Sequence, residues 1–195
     1  MSEWHERKKY FTRRLFQEFE AGRVDHDLKD LLNLINSLDD YYTTSSCSGR
    51  IQIAEVRLPG EKFDIKVLGK WHWKVDPETI KNIVLGDWSY LWLMVQGPIL
   101  HVVARNLECA MKLLDIARKC GFKHSGIQVT KKERILLEIV GSEEMTVPLK
   151  WKGRYLVNPE EISMLVQVSN ELLEVSKQKL ARFKNKIVEE FTVEA

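Results

Sequence analysis

The spacing of apolar side chains predicts helices near both ends of the chain. Apolar residues recur every three or four positions after the N-terminus, which predicts a first helix over about residues 3–21, ended by Gly22. The same periodicity predicts a second helix over about residues 27–38, with Asp25 at its N-cap position. A long final helix is expected from Asn158-Pro159 onward, because apolar residues continue at helical spacing almost to the C-terminus.

Short apolar or β-branched stretches between turn residues predict strands in the middle of the chain. They cover residues 41–44, 51–56, 63–68, 88–95, 99–104, 126–129, 134–140 and 145–149, the third beginning at Phe63. Residues 45–49 are expected to form a polar loop after the first strand. Two further helices are expected, one over residues 77–86 that Asp76 caps and one through Cys120 that Asn106 caps.

Matching short motifs occur in the same order in both halves of the chain. The pairs are Ser48-Gly49 with Ser125-Gly126, Lys70-Trp71 with Lys150-Trp151, and Asp76-Pro77-Glu78 with Asn158-Pro159-Glu160. We interpret them as an internal duplication, roughly over residues 25–86 and 99–190, within a single domain over residues 1–195. The predicted fold class is therefore α+β, with pseudo-duplicated helix, strand-hairpin and helix units around a mixed or antiparallel sheet and a long C-terminal helix.

The composition is that of an ordinary folded protein. The 195 residues are 44% hydrophobic and carry a net charge of +2. No apolar run approaches the ~18 residues that span a membrane, and the charged start lacks a secretion signal, so we expect a cytoplasmic protein. The three cysteines and five histidines show no metal-binding spacing, and no metal site is predicted.

The final helix carries a cluster of basic residues. They are Lys177, Lys179, Arg182, Lys184 and Lys186. Such a face can bind the phosphates of a nucleic acid. A solvated helix face in a protein rich in lysine and glutamate would have the same composition, so charge alone leaves both interpretations open.

The candidate chemistry centres on residues 44–50. The segment combines small hydroxyl-bearing residues with Gly49, which permits close approach of a ligand, and Arg50, which can bind a carboxylate or phosphate with two hydrogen bonds. A polar surface turn would look similar. His101 lies in an apolar strand and is either a core histidine or a general base. Glycine-rich nucleotide motifs are missing, so a Rossmann fold is not predicted.

Residues 41–51 resemble the signature of a known family. Their sequence, Tyr-Tyr-Thr-Thr-Ser-Ser-Cys-Ser-Gly-Arg-Ile, is similar to that of the third-step family of wybutosine synthesis in archaea and eukaryotes, the tRNA wybutosine-synthesising protein 3 family. Four other segments also resemble motifs of this family, and the resemblance extends from about residue 11 to residue 183. They are Val24-Asp25, Gly69-Lys70-Trp71, Pro98–Val102 and Cys120–Ile127.

The resemblance implies an enzyme of transfer RNA modification. It would be a methyltransferase that uses S-adenosyl-L-methionine and acts on a ring nitrogen, N4, of 7-aminocarboxypropyl-demethylwyosine at position 37 of tRNA(Phe). This nucleoside of the wybutosine pathway lies in the anticodon loop. The family is not built on the Rossmann fold, which agrees with the missing glycine motif. A non-catalytic tRNA-binding module is the alternative. The oligomeric state is not predicted.

The resemblance also suggests roles for individual residues. Asp25 or His101 would take the proton of the ring N–H, although Asp25 could equally be an N-cap. The cofactor contacts would be Ser45, Ser46, Ser48, Gly49, Arg50, Ser125 and Gly126. The serine-rich segment could hold a tRNA phosphate instead, and the basic final helix would hold the surrounding RNA backbone. The expected substrate contacts are Lys70, Trp71 and His72.

Overall fold

The computed structural model describes residues 2–60, 64–132 and 134–192. Within them the chain forms five α-helices and nine strands. The helices are α1 (Glu3–Glu20), α2 (Lys29–Ser37), α3 (Pro77–Val84), α4 (Leu107–Lys119) and α5 (Ile162–Thr192). The strands are β1 (Tyr41–Cys47), β2 (Arg50–Glu55), β3 (Lys66–Trp71), β4 (Tyr90–Gln96), β5 (Ile99–Ala104), β6 (Gly126–Lys131), β7 (Arg134–Val140), β8 (Met145–Trp151) and β9 (Arg154–Tyr155).

The predicted α+β fold class is confirmed, except that the strands form two sheets where a single sheet was expected. Helices and strands are both abundant, the strand pairs are antiparallel, and α5 is the long C-terminal helix. The strands belong to two sheets, one with the order β1-β5-β7-β6 and the other with the order β3-β2-β4-β8-β9. None of the described helices contains an apolar stretch long enough to cross a bilayer.

The chain divides into two compact units. Unit 1 comprises the described residues of Met1–Ser48, Pro98–Ser142 and Ser176–Ala195, and unit 2 comprises Gly49–Gly97 and Glu143–Val175. The borders differ from those of the predicted repeats, because Asp76 and Asn158 both belong to unit 2 whereas Ser48 and Ser125 both belong to unit 1. The internal duplication and the single domain over residues 1–195 therefore stay predictions.

Unit 1 is built on the first sheet, which is covered on both faces. On one face Leu100, Val102 and Leu137 are fully buried and pack in a core with residues of α2, α4 and the C-terminal part of α5. On the other face Trp4 of α1 packs against Tyr42 and Val103. Alternate residues of a strand point to opposite faces, so His101 shares the α1 face with Val103.

Unit 2 is built on the second sheet. Its core consists of buried apolar residues from β2 and β4 together with α3 and the first turns of α5, such as Ile53, Leu93, Ile80 and Val166. The α3 helix starts as predicted, because the Asp76 carboxylate accepts a 2.7 Å hydrogen bond from the backbone N–H of Glu78.

Two sequence predictions near the candidate chemistry were wrong. Ser45, Ser46 and Cys47 do not form a loop but continue β1, where they pair with His101, Leu100 and Ile99. Serine has a low strand propensity, yet the ladder to a central strand decides the conformation here. A register shift between Thr43 and Ser45 marks an irregularity in β1. Strand β3 starts later than expected, and Phe63 lies outside the described residues.

Candidate active site

A row of polar side chains crosses the α1 face of the first sheet. Ser45, His101 and Glu138 are direct neighbours on β1, β5 and β7. The Ser45 hydroxyl lies 2.6 Å from His101 Nδ1, and His101 Nε2 lies 3.2 Å from Glu138 Oε1. Gln128 Nε2 donates a 2.8 Å hydrogen bond to the other carboxylate oxygen of Glu138. The histidine is thus held at both ring nitrogens.

These contacts define the roles of the ring nitrogens of His101. A carboxylate can only accept hydrogen bonds, so Nε2 carries the proton that is donated to Glu138. In the neutral ring Nδ1 is then an acceptor, and the Ser45 hydroxyl donates to it. The side chains of His101 and Glu138 are each 28% exposed, so the pair is half-buried but accessible. A histidine oriented by a carboxylate can accept a proton through the serine hydroxyl.

A second polar cluster of unit 1 holds the turn after β1. The Asp25 carboxylate accepts a 2.7 Å hydrogen bond from the backbone N–H of Ser48. Lys177 of α5 donates to the Ser48 carbonyl oxygen at 3.1 Å and is 2.6 Å from the Ser48 hydroxyl. Lys177 also forms an ion pair of 2.6 Å with Asp27. Ser48 is fully buried, so these partners replace the water that its polar atoms lose on folding.

The expected N-cap bond of Asp25 is not formed within the described residues. Asp25 precedes a short 3₁₀ turn, His26–Leu28, but its side chain makes no capping hydrogen bond to that turn. The carboxylate instead reaches across to Ser48, 23 residues further along the chain. The N-cap prediction was therefore wrong, because a buried N–H that lacks a partner costs more than an exposed helix terminus.

A pocket of about 200 Å³ opens beside Ser45 in unit 1. It is lined by Phe11, Arg14, Leu15 and Glu18 of α1, by Arg23 and Val24, and by Thr43–Ser46 of β1. Arg23 donates a 2.5 Å hydrogen bond to Glu18, and this bond lowers the pKa of the Glu18 carboxyl below its ordinary value. The volume is below the usual range for a whole ligand, so the pocket suits a part of one.

Ser125 and Gly126 lie apart from Ser45 and Ser48 on the first sheet. Gly126 is in the same row as Ser45, but β5 and β7 lie between them, which corresponds to about 14 Å at ordinary strand spacing. Ser125 is buried, and its hydroxyl accepts a 3.1 Å hydrogen bond from the backbone N–H of Val140. Ser125 therefore fixes the start of β6.

In unit 2, Arg50 and His72 lie at one end of the second sheet. Arg50 donates through Nε to the Gln96 side chain at 2.6 Å, and no carboxylate among the described residues forms an ion pair with it. His72 Nδ1 lies 3.0 Å from the carbonyl oxygen of Gly49, whose φ of 92° is in the left-handed region that favours glycine. His72 therefore helps to fix the backbone just before Arg50.

Lys70 and Trp71 differ in how far their side chains are exposed. Lys70 is exposed on β3, an edge strand of the second sheet. The Trp71 ring folds back over Gly69 of its own strand. A Cβ atom added at Gly69 would lie only 2.1 Å from this ring. A side chain at position 69 would therefore have to displace the Trp71 ring, which is partly buried against the core of unit 2.

Comparisons with known proteins identify the family. The family described as Methyltransferase TYW3 matches residues 6–189. The chain belongs to the TYW3 methyltransferase family. A relative from Thermococcus sibiricus, named as tRNA(Phe) 7-((3-amino-3-carboxypropyl)-4-demethylwyosine(37)-N(4))-methyltransferase, is 42% identical over 181 residues, which cover 92% of both chains. A relative from Archaeoglobus fulgidus with the same name is 37% identical and covers 92% of this chain and 90% of its own.

Solved structures agree with this assignment. The structure of the PH1069 protein from Pyrococcus horikoshii has a TM-score of 0.88 and 39% sequence identity, over 94% of this chain and 95% of that one. A hypothetical protein from Aeropyrum pernix has a TM-score of 0.76 and 32% identity, over 85% of this chain and 98% of that one. The TYW3 fold without the Rossmann arrangement is thus confirmed for this methyltransferase.

One site residue of this TYW3 chain, Glu138, was not predicted from the sequence, and Lys177 was expected only on the basic face of the final helix. Glu138 interrupts the apolar pattern of β7 on the face that carries His101, and an acidic residue in such a strand is a usable signal. Lys177 gave no such signal, because it is one of many lysines in α5 and its contact with Ser48 spans 129 residues. Only the folded structure brings two residues so distant in the sequence together.

Proposed function

We propose that this TYW3 methyltransferase transfers the methyl group of S-adenosyl-L-methionine to N4 of 7-(3-amino-3-carboxypropyl)-4-demethylwyosine at position 37 of tRNA(Phe). The observation that carries this proposal is the shared name of relatives from different archaeal genera. Relatives from Thermococcus sibiricus, Archaeoglobus fulgidus and Saccharolobus solfataricus are named as N4-methyltransferases of this nucleoside, at 42%, 37% and 34% identity over most of the chain, and the methyl donor is part of the proposal.

The residues predicted as cofactor contacts fit a methyl donor that bears a carboxylate. Arg50 offers a guanidinium without an ion-pair partner among the described residues, and it suits the donor's carboxylate. Ser45 and Ser46 offer hydroxyl groups beside the pocket on unit 1. When bound, S-adenosyl-L-methionine supplies an electrophilic methyl group on a sulfonium. Ser45, Ser46, Gly49 and Arg50 are our proposed donor contacts.

Ser48 and Ser125 have a different proposed role. The Ser48 hydroxyl and backbone are already bonded to Lys177 and Asp25, and the Ser125 hydroxyl is bonded to Val140. We propose that the two serines support the site through the backbone and do not bind the donor with their hydroxyl groups. A cofactor contact of either serine through its backbone atoms, and the cofactor contact of Gly126, stay predictions.

His101 is the proposed acceptor of the proton from the ring nitrogen. The target N4 bears a hydrogen, so a base must remove a proton as the new N–C bond forms. The Ser45 hydroxyl, which is exposed and donates to His101 Nδ1, would pass its proton to the ring while it takes the proton of the substrate. Asp25 is less suited, because its carboxylate already supports the Ser48 turn.

Glu138 is proposed to orient His101 and to stabilise its positive charge. Its carboxylate accepts a hydrogen bond from His101 Nε2 and is itself held by Gln128. A carboxylate at this position fixes the tautomer that leaves Nδ1 free to accept, and its negative charge lies beside the ring that takes up the proton during transfer. The proposed row is therefore Ser45 as relay, His101 as base and Glu138 as its positioning residue.

The proposed contacts of the RNA are Lys70, Trp71 and His72. Lys70 is exposed and can contact a phosphate. Trp71 and His72 are half-buried, and their surface edges can contact a base that is turned out of a loop. Their fixed positions reduce the entropy lost on binding.

The experiment that tests the function uses purified protein, methyl-labelled S-adenosyl-L-methionine and tRNA(Phe) that carries the demethylwyosine precursor. Label should enter the tRNA, and mass spectrometry of the nucleosides should show one added methyl group on the precursor. tRNA(Phe) with unmodified guanosine at position 37 is the control and should stay unlabelled. Binding of the precursor tRNA without any methyl transfer would instead indicate the non-catalytic tRNA-binding module.

A further inference from the structure

An open groove of about 580 Å³ runs along α1 in unit 1. Its walls are residues three or four positions apart, which places them on one face of the helix. They are His5, Lys8, Lys9, Thr12, Arg13 and Phe16 of α1, with Asn36 of α2. The groove is separate from the pocket beside Ser45, which uses a different set of α1 residues.

Among the residues that the structure describes, the lining of this groove is cationic and contains no carboxylate. Lys9 and Arg13 are exposed, and within residues 2–60, 64–132 and 134–192 neither forms an ion pair. Lys8 is half-buried and donates to the carbonyl oxygens of Leu38 and Tyr41. The pKa of Lys8 lies below its ordinary value, because the lowering by burial outweighs the raising by the nearby charges of Asp39 and Asp40. Lys9 and Arg13 are therefore the groove cations available to a ligand.

Three of the five basic residues of the final helix already have carboxylate partners. Lys177 pairs with Asp27 at 2.6 Å, and Lys184 pairs with Asp30 at 3.3 Å. Lys186 pairs with two glutamates, Glu189 and Glu190, at 2.9 and 3.2 Å. A phosphate would have to compete with carboxylates already in place at these lysines. Lys9 and Arg13 on α1 meet no such competition within the described residues.

An aromatic side chain stands at one end of the groove. Phe16 is 54% exposed and lies three positions after Arg13 on the same helix face. A large apolar ring in contact with water, next to unpaired cations, is the combination that binds unstacked nucleotides. The apolar ring stacks on a base while the cations hold the adjacent phosphates.

We propose that the α1 groove binds the sugar-phosphate backbone of the tRNA substrate, with Lys9 and Arg13 on phosphates and Phe16 stacked on an unpaired base. The proposal rests on the proposed function in one respect, because it takes tRNA as the substrate. It moves the backbone contacts expected of Lys177, Lys184 and Lys186 to α1. It also assigns the N-terminal helix a binding role in addition to its packing against β1.

The test measures binding of tRNA(Phe) as a function of KCl concentration. The variant Lys9→Ala/Arg13→Ala should bind more weakly, and its plot of log K against log [KCl] should be less steep by about 1.4 to 1.8, because two phosphate contacts are lost. The matched control is Lys184→Ala/Lys186→Ala, which removes two cations from α5 and should keep the wild-type slope. All four side chains lie at the surface, and circular dichroism checks that both variants fold.

Phe16→Ala provides an independent arm of the test. Loss of a stacking contact should weaken tRNA binding by about 5- to 100-fold, and the salt slope should stay at the wild-type value because no counterions are involved. A wild-type slope in the α1 double variant would overturn the proposal. A loss of slope in the α5 control equal to that in the α1 variant would also overturn it.

The binding measurement is independent of methyl transfer. If the proposed methyl transfer fails, the wild-type protein will add no methyl group even though the slopes of the variants still differ as expected. If the groove proposal fails, methylation by the wild-type protein will proceed while the α1 double variant keeps its wild-type salt slope. The two failures are therefore distinguishable.

Discussion

The carboxylate of Asp25 accepts a 2.7 Å hydrogen bond from the backbone N–H of Ser48, which is fully buried. This bond gives Asp25 a structural task at the turn that joins β1 to β2. The same turn is held from the other side by Lys177. A residue that looked like a helix cap or a catalytic base in the sequence thus secures the segment that follows the serine-rich strand.

Substitution of Asp25 separates its structural role from a catalytic one. Asp25→Ala leaves the buried N–H of Ser48 without an acceptor and should lower the free energy of unfolding by about 1 to 3 kcal/mol in denaturant titrations. Asp25→Asn keeps an oxygen acceptor and should lose less. With donor and tRNA saturating, kcat of Asp25→Asn should stay within about tenfold of wild type, a change of about 1.4 kcal/mol in the barrier. A folded Asp25→Asn variant without methyl transfer would make Asp25 the base.

Lys177 and Lys184 form a matched pair of substitutions on α5. Lys177→Met removes the bonds to the Ser48 hydroxyl and carbonyl oxygen as well as the ion pair to Asp27, and should cost about 1 to 2 kcal/mol of stability. Lys184→Met removes a single exposed ion pair with Asp30 and should cost less than about 1 kcal/mol. Equal losses in chemical denaturation would show that the Ser48 contact adds nothing.

Glu138 should act on catalysis through His101. Glu138→Gln removes the negative charge beside the ring and weakens the hydrogen bond that orients it, and we expect kcat to fall by about tenfold, or about 1.4 kcal/mol in the barrier. The KM for S-adenosyl-L-methionine should be unchanged, since the proposed donor contacts do not include Glu138. Steady-state kinetics on precursor tRNA measures both values. A rise in KM at unchanged kcat would assign Glu138 to donor binding instead.

The thiols of Cys109 and Cys120 should react slowly near neutral pH. Burial raises the pKa of both thiols above the ordinary value of 9.0, so little thiolate is present. Alkylation by iodoacetamide, followed by mass spectrometry of peptides, should accelerate only above that pH. The folded state retains these protons longer than the unfolded chain does, so their contribution to stability is present below pH 9 and is lost as the pH rises through the raised pKa. Rapid alkylation of both thiols in the folded protein at neutral pH would contradict this.

Local signals in the sequence were sufficient for the starts of α1, α3 and α4 and for most strands. Asn106 caps α4 as expected, because its side chain accepts the backbone N–H of Cys109 at 2.8 Å. The strand over Ser45–Cys47 was missed because serine has a low intrinsic preference for strands and the partner strand β5 lies more than 50 residues away. Pairing between such distant segments overrides the local preference.

The site was only partly predictable for the same reason. His101 stood out as a polar residue in an apolar strand, and the structure places it next to Ser45 through strand pairing. Glu138 joins them because β7 lies beside β5 in the sheet. The alternation of apolar and polar residues along a strand does not reveal which strands are neighbours. The roles of Ser48 and Ser125 could not be read from the sequence, because a buried serine and a ligand-binding serine have the same local composition.

Single-turnover methyl transfer by His101→Ala tests the central claim most directly. With saturating S-adenosyl-L-methionine and precursor tRNA(Phe), we expect the rate to fall by about 10² to 10⁴ relative to wild type, with partial recovery when imidazole is added to replace the missing base. His124→Ala, which removes an exposed histidine between α4 and β6, is the control and should keep the wild-type rate. A wild-type rate in His101→Ala without imidazole would contradict the proposed relay through Ser45 and His101.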